Sequence, residues 1–295
     1  MGKIANKIPV LSFAAASALA LLLLVAIWRW PQPELVIDVL DIGQGDAVLA
    51  RVGRHEVLFD TGPDQTVLAG LGESLPLFDR RLEAVVITHP HADHVAGLAY
   101  VVGHYRVGRI FYYADSEAPE WQAARRLAEE KGVPVTRIAA GADWSAGEMR
   151  FDVLWPPPGY TSPGNDDNDC SLVVRVSDAD GRGAAMLTGD ATASVERALL
   201  DGGAPLQAAW LKVAHHGSRY STSMAWLGAV RPEWAAVSSG DNSWGLPTWA
   251  VLARLEKIGA AVGRTDQDGH LRYRYADGVW RRVTFWLATW PPLRP

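Results

Sequence analysis

The sequence predicts an α/β fold made of two halves packed sheet to sheet, with their helices outside. Short apolar runs recur between turn residues: "ELVIDVLDIG", "DAVLARVG", "HEVLFDTG" and "LEAVVITH", then "MRFDVLWPPP", "CSLVVRVSD", "AAMLTGD", "LKVAHHG" and "WAAVSSG". Their shortness and β-branched content favour strands over helix fragments. Helical patterns intervene at "HVAGLAYVVGHY", "PEWQAARRLAEEKG", "SVERALLDGG" and "WAVLARLEKIGA". The second and fourth run into glycine, as helices commonly do. This succession of strands and helices occurs twice, over roughly 33–140 and 147–285.

At 295 residues the chain can bury one large core, and a single domain over residues 31–295 is expected. Residues 1–30 differ in kind. Val10 to Ile27, "VLSFAAASALALLLLVAI", is 18 residues without a charge, enough to cross a hydrocarbon core of about 30 Å. Trp28 and Trp30 suit the interface at its exit, and Pro31 and Pro33 a short stiff linker. The expectation is an uncleaved membrane anchor with the catalytic body outside the cytoplasm. A cleaved signal releasing a secreted body is the alternative, since "ASALA" offers small residues at suitable spacing. Cutting there would leave the apolar "LLLLVAIWRW" as a new terminus.

Lys3, Lys7 and Arg29 are the only charges before residue 31, so the body holds 25 basic against 33 acidic residues, a net −8. That balance argues against gripping nucleic acid through a broad basic surface. The single cysteine, Cys170, excludes an intramolecular disulfide and reads as a small buried hydrophobe.

Chemistry concentrates in "THPHADH", Thr88 to His94, which packs three of the eight histidines and a carboxylate into seven residues. A strand precedes it and a helix follows, so His89, His91, Asp93 and His94 share a loop. Residues at i, i+2, i+4 and i+5 of a tight loop can converge, His89 and His91 on one metal, Asp93 and His94 on another. Asp190 ends the strand in "AAMLTGD"; alone it would cap the next helix, but a carboxylate there can also bridge two metals about 3.5–4 Å apart. "LKVAHHGS" ends another strand on His215 and His216, which suit one ligand plus one group touching the reacting oxygens.

These pieces together resemble the metallo-β-lactamase superfamily and, more narrowly, the soluble hydrolase domain of the ComEC/Rec2 competence proteins, which internalise DNA. The resemblance runs from about Leu35 to Arg274. Its motifs are "DVLDIGQGDAVL", "LFDTGP", "THPHADHVAGL", "NDCSLVVRV", "LTGD", "LKVAHHGSRYSTS" and "RTDQDGHLRY". It implies an αββα four-layer sandwich with a metal site at one edge, preceded here by one N-terminal membrane segment. It also implies His89, His91, Asp93, His94 and Asp190 as metal ligands, His215 or His216 close to the metals, and Asp60 behind them. His215 is expected to complete the ligand set, with His216 and Asp190 in catalysis. Asp60 makes sense as an acceptor fixing a ligand imidazole's tautomer, or else as a turn residue before Gly62. Gly43, Gln44, Gly45 and Asp46 form a tight loop that either lines the same edge or is a structural turn.

Two departures stand out. The interval before Asp190 supplies only His104 as a further histidine, although Asn168 and Ser171 match the Asn and Ser of this branch. Gly245-Leu246-Pro247 stands where the branch commonly reads Gly-His-Pro. Leu246 cannot bind metal; His270 either substitutes for it or is an exposed hairpin histidine.

The expected cofactors are two divalent ions, Zn²⁺ first and Mn²⁺ as the alternative. Ser218, Arg219 and Ser221 are expected to hold phosphate, Arg219 by a bidentate contact, and Asn168 and Ser171 are expected beside them as further substrate contacts. The expected substrate is a phosphodiester, with DNA following from the resemblance, and a separate channel protein as a partner. Two other readings stand beside it: hydrolysis of another ester, including a small or cell-envelope phosphodiester, and a non-catalytic metal-binding scaffold.

Overall fold

A computed structural model describes residues 10–28, 34–76, 78–164 and 166–283. Alternating apolar residues build two sheets. The eight-stranded sheet runs in the order Val279–Val283, Leu271–Ala276, Leu35–Val39, Val48–Val52, His55–Phe59, Ala84–Val86, Ile110–Tyr112 and Val135–Arg137. The seven-stranded sheet runs Ala261–Arg264, Trp234–Val237, Trp210–Lys212, Ala185–Leu187, Val173–Asp178, Met149–Trp155 and Trp144–Ala146.

The period of two decides which side chains meet. Ile37, Val39 and Phe59 from the first sheet pack on Phe151, Val174 and Leu187 from the second, forming the central core. The opposite face of the first sheet, through Leu49, Leu58 and Val85, meets helices carrying Leu71, Val101 and Trp121. The second sheet's outer face meets helices carrying Val195, Leu199, Trp226 and Leu255. The result is four layers, helix, sheet, sheet, helix, as expected. Pro119–Glu130 illustrates the local logic: Pro119 opens the helix and Trp121, Ala124 and Ala128 make its buried stripe.

Two features depart from the sequence reading. The expected second half, 147–285, does not keep its last strands. Leu271–Ala276 pairs antiparallel with Leu35–Val39, so the C-terminal hairpin extends the first sheet and covers what would be an open strand edge. Helices Thr66–Ser74 and Met224–Val230 were not foreseen, because Gly70, Gly72 and Gly228 inside them read as breaks.

The foreseen anchor falls in a helix over Val10–Trp28, with side chains described for 15–24. Among the described residues no helix is long and apolar enough to cross a membrane, and the outer turns of the 10–27 segment lie outside the described side chains. Leu19, Leu21, Leu22, Leu23 and Leu24 are all exposed.

The strands that matter for chemistry end at one edge. His55–Phe59 is parallel to Ala84–Val86, and Ala185–Leu187, Trp210–Lys212 and Trp234–Val237 run parallel to one another. Their C-terminal ends lead into Asp60, the Thr88–His94 loop, Asp190, His215–His216 and Ser238.

Candidate active site

Asp60 follows a buried strand and adopts φ 57°, a left-handed conformation uncommon outside glycine. That turn directs its carboxylate at the neighbouring strand end. One oxygen accepts from the Thr88 amide at 2.8 Å; the other accepts from the Thr88 hydroxyl at 2.7 Å and from His94 Nδ1 at 2.8 Å. The Thr88 hydroxyl has one proton and gives it to Asp60, so it accepts from His89 Nδ1 at 3.1 Å. His216 Nδ1 donates to the Ser238 carbonyl at 2.9 Å. In all three imidazoles the Nδ1 proton is engaged, and the Nε2 lone pair faces the site.

Those lone pairs converge. His94 Nε2 lies 3.3 Å from Asp190 Oδ1, His89 Nε2 4.0 Å from Asp190 Oδ2, and His216 Nε2 3.5 Å from Asp190 Oδ2 and 3.3 Å from Asp93 Oδ2. His89, His94 and Asp190 form one group of donors, and Asp93, His94 and His216 another. His89 Nε2, His94 Nε2, His216 Nε2 and Asp190 Oδ1 are buried without a hydrogen-bond partner. Four orphaned donors of imidazole and carboxylate type in one place fit divalent cations.

The electrostatics agree. Burial pushes the Asp190 carboxyl up, but the His216 and His94 imidazoles beside it outweigh burial and hold it well below the usual range. Burial depresses His94 and His216, yet Asp190 with Asp60, and Asp190 with Asp46, raise them well above theirs. His89, with burial and His94 acting together, stays well below. The carboxylates therefore demand positive charge at the place where the lone pairs meet.

The expected residues divide in three. His89, Asp93, His94, Asp190 and Asp60 come together as described. His91 stands at the mouth, its ring 4.6 Å from that of His89 and its Nε2 3.9 Å from half-buried Asp167, outside both donor groups. His215 and His216 exchange places relative to expectation. Both line the cavity, but His216 is the buried one among the donors, while His215, half-buried with Nε2 3.7 Å from Asp190 Oδ2, lies outside both donor groups. Consecutive left-handed residues, φ 50° and 51°, turn the two rings apart, which strand alternation would not have predicted.

Of the expected substrate contacts, Asn168, Ser218 and Arg219 line the cavity. Ser171 and Ser221 do not: Ser171 Oγ accepts from the Asp190 amide at 3.2 Å, and Ser221 Oγ donates to the Ala191 carbonyl at 2.9 Å. Both support the strand end that carries Asp190. Leu246 lines the cavity wall. His270 takes neither expected role; its Nε2 sits 3.0 Å from buried Asp38, which also pairs with Arg51 at 3.1 Å and with Arg272. That polar cluster lies away from the donors, so His270 does not replace the missing imidazole. His104 bonds the Tyr100 carbonyl on the surface.

One contributor, Lys212, escaped the sequence reading, and the alternative left open for the Gly43–Asp46 loop is decided by it. Lys212 is buried, and its Nζ donates to Asp46 Oδ2 at 2.5 Å and to the Val213 carbonyl at 3.0 Å. Asp46 Oδ1 in turn lies 3.3 Å from His216 Nδ1. The Gly43–Asp46 loop is thus part of this edge, and a β-carbon on Gly45 would stand 2.2 Å from the Asp93 carbonyl oxygen. The available signal was a lysine at the end of an otherwise apolar strand.

Asp93, Asp190 and His216 line an open cavity of about 940 Å³, with His89 and His94 buried behind them. With this geometry in place, comparison with known proteins adds the following. The metallo-beta-lactamase superfamily model matches residues 40–240. Competence protein ComA of Neisseria gonorrhoeae is 34% identical over 252 residues, covering 84% of this chain and 33% of that protein. ComE operon protein 3 of Bacillus subtilis is 30% identical over 264 residues, covering 82% and 33%. The chain spans about a third of the length of these curated relatives. The metallo-beta-lactamase fold protein YhfI from Bacillus subtilis superposes with a TM-score of 0.55 at 14% identity, covering 85% of this chain and 100% of that one. CmlA, a diiron beta-hydroxylase from Streptomyces venezuelae, gives 0.56 at 15%, covering 83% and 55%; both likenesses speak for the fold. The chain belongs to the metallo-beta-lactamase superfamily, and its relatives include competence proteins.

Proposed function

We propose that the protein is a two-metal phosphodiesterase acting on DNA, held in a membrane by residues 1–30 with the domain of residues 31–295 outside the cytoplasm. The observation that carries the catalytic part is the convergence of four buried, unpartnered ligand atoms from His89, His94, His216 and Asp190, the last two of which line an open cavity. Zn²⁺ or Mn²⁺, when bound, would polarise a phosphoryl oxygen and acidify a water.

The chain's own residues do the rest. His89, His94 and Asp190 would hold one ion and Asp93 and His216 the other, with Asp60 and the Ser238 carbonyl fixing the imidazoles. His215, on the cavity wall, donates a hydrogen bond to a phosphoryl oxygen or supplies a proton to the leaving alkoxide. Arg219 and Ser218 on the same wall bind non-bridging oxygens. DNA as substrate, and a separate channel protein as partner, draw on the competence relatives.

The membrane part is supported by the helix over Val10–Trp28. The segment Val10 to Ile27 carries no charge, and its described leucines are exposed on every side. The non-catalytic scaffold remains the second reading, favoured by Leu246 and by the outlying His91. Metal analysis of the purified chain, coupled to hydrolysis of methyl p-nitrophenyl phosphate and linear DNA under added Zn²⁺ and Mn²⁺, separates the two. Bound metal with hydrolysis of either ester supports the enzyme; bound metal with neither supports the scaffold.

A further inference from the structure

The cavity carries aromatic side chains that neither the fold nor the metal donors use. Tyr220 and Trp244 line it, at 71% and 69% exposure, and Trp249 stands beside it at 82%. Of the nine tryptophans with described side chains, the other seven are buried or partly covered. An exposed indole forgoes the burial that makes tryptophan useful to a core.

Both aromatic loops are held in place. Asn242 staples the first: its Nδ2 donates to the Gly240 and Leu246 carbonyls at 2.8 and 2.9 Å, and its Oδ1 accepts from the Trp244 and Leu246 amides at 3.1 and 3.0 Å. Arg254 staples the second, with Nη1 donating to the Ser221 and Thr222 carbonyls at 2.9 and 3.2 Å and Nη2 to the Arg219 carbonyl at 3.3 Å. The Arg219 guanidinium lies 5.7 Å from the Tyr220 ring centre. These rings are therefore presented outward by fixed backbone, so little ordering remains to be done on binding.

Charge narrows the choice of ligand. Asp64 and Asp241 line the same cavity, and the body carries net −8. A long polyanion laid across this rim would be held weakly by its phosphates. Flat apolar faces beside a phosphate-cleaving centre suit a nucleobase, and only an unpaired base has a face free to stack.

We propose that Trp244 and Tyr220 are the base-stacking residues of this site, gripping unpaired bases next to the scissile phosphate so that single strands are preferred over duplex. The proposal rests on the phosphodiesterase reading above. Stacking supplies the affinity that basic residues supply elsewhere, so binding falls only shallowly with salt.

The test uses the full chain in detergent with Mn²⁺, measuring fluorescence anisotropy of labelled, hydrolysis-resistant phosphorothioate oligomers. The probes are a thymidine oligomer, the same length of abasic backbone, and a duplex. Trp244→Ala and Tyr220→Ala are expected each to weaken thymidine-oligomer binding roughly 5- to 100-fold, and abasic-backbone binding less than about twofold. Trp244→Phe should restore much of the loss, and Phe78→Ala, an exposed aromatic away from the cavity, should change nothing. Equal losses on thymidine and abasic probes, or a wild type that prefers duplex, would overturn the stacking role while leaving the phosphodiesterase reading standing. A wild type that cleaves no phosphodiester in parallel assays brings down that reading instead, and stacking then falls too unless the thymidine oligomer still binds in a Trp244-dependent way.

Discussion

Asp190 has an oxygen within reach of each donor imidazole, so its removal uncouples the whole cluster. Asp190→Ala is expected to lower turnover by roughly 10²–10⁴ with the fold retained, measured by steady-state kinetics beside circular dichroism; near-normal turnover with full metal content refutes the role. The neighbouring histidines separate binding from chemistry. His216→Ala, which removes a buried lone pair, should reduce metal per chain in elemental analysis. His215→Ala should keep the metal and lower kcat, because its ring faces the cavity. The reverse pattern would show that the left-handed turn at these two residues places them otherwise.

At the scale of elements, the buried Lys212–Asp46 pair ties the Gly43–Asp46 loop to the end of strand Trp210–Lys212. Burial pushes Asp46 up, but Lys212 and His216 pull it down to about 2. Lys212→Met takes from that buried carboxylate its lysine partner and is expected to destabilise by about 3–5 kcal/mol, read as a fall in Tm; adding Asp46→Asn should recover part of it. A second test concerns Glu56, on the outer face of the first sheet and paired in register with Arg51. Burial, reinforced by Asp79, raises its carboxyl to about 8. Its contribution to stability is fully present below the usual glutamate pKa and is lost as pH rises through 8, because unfolding releases the proton. Glu56→Gln cannot ionise, so wild type should lose about 2–4 kcal/mol relative to it between pH 5 and 9. Parallel Tm-against-pH curves for the two proteins would refute this.

For the whole molecule, ions that bind only the folded chain stabilise it by mass action. Free metal at a hundred times its Kd is worth about 2.7 kcal/mol, so chelation should lower Tm, and Asp190→Ala should lose most of that dependence. Fractionation addresses the anchor: the full chain is expected to sediment with membranes and to need detergent for release, while residues 31–295 should stay in the supernatant. A full-length chain found in the soluble fraction would count against anchoring.

The strands, most helices and the donor residues were legible because their signals are local. β-branched runs read out a period of two, and "THPHADH" places its ligands within seven residues. The apolar 10–27 segment likewise declares itself by composition alone. What required tertiary structure was each relation between distant residues. Asp46 and Lys212 lie 166 positions apart, and no local pattern pairs them. The C-terminal hairpin joins the first sheet because strand pairing depends on which edge is open, not on position in the chain. His215 and His216 look equivalent in sequence; two left-handed backbone angles, held by packing around them, decide which imidazole is buried among the donors and which stands half-buried outside them.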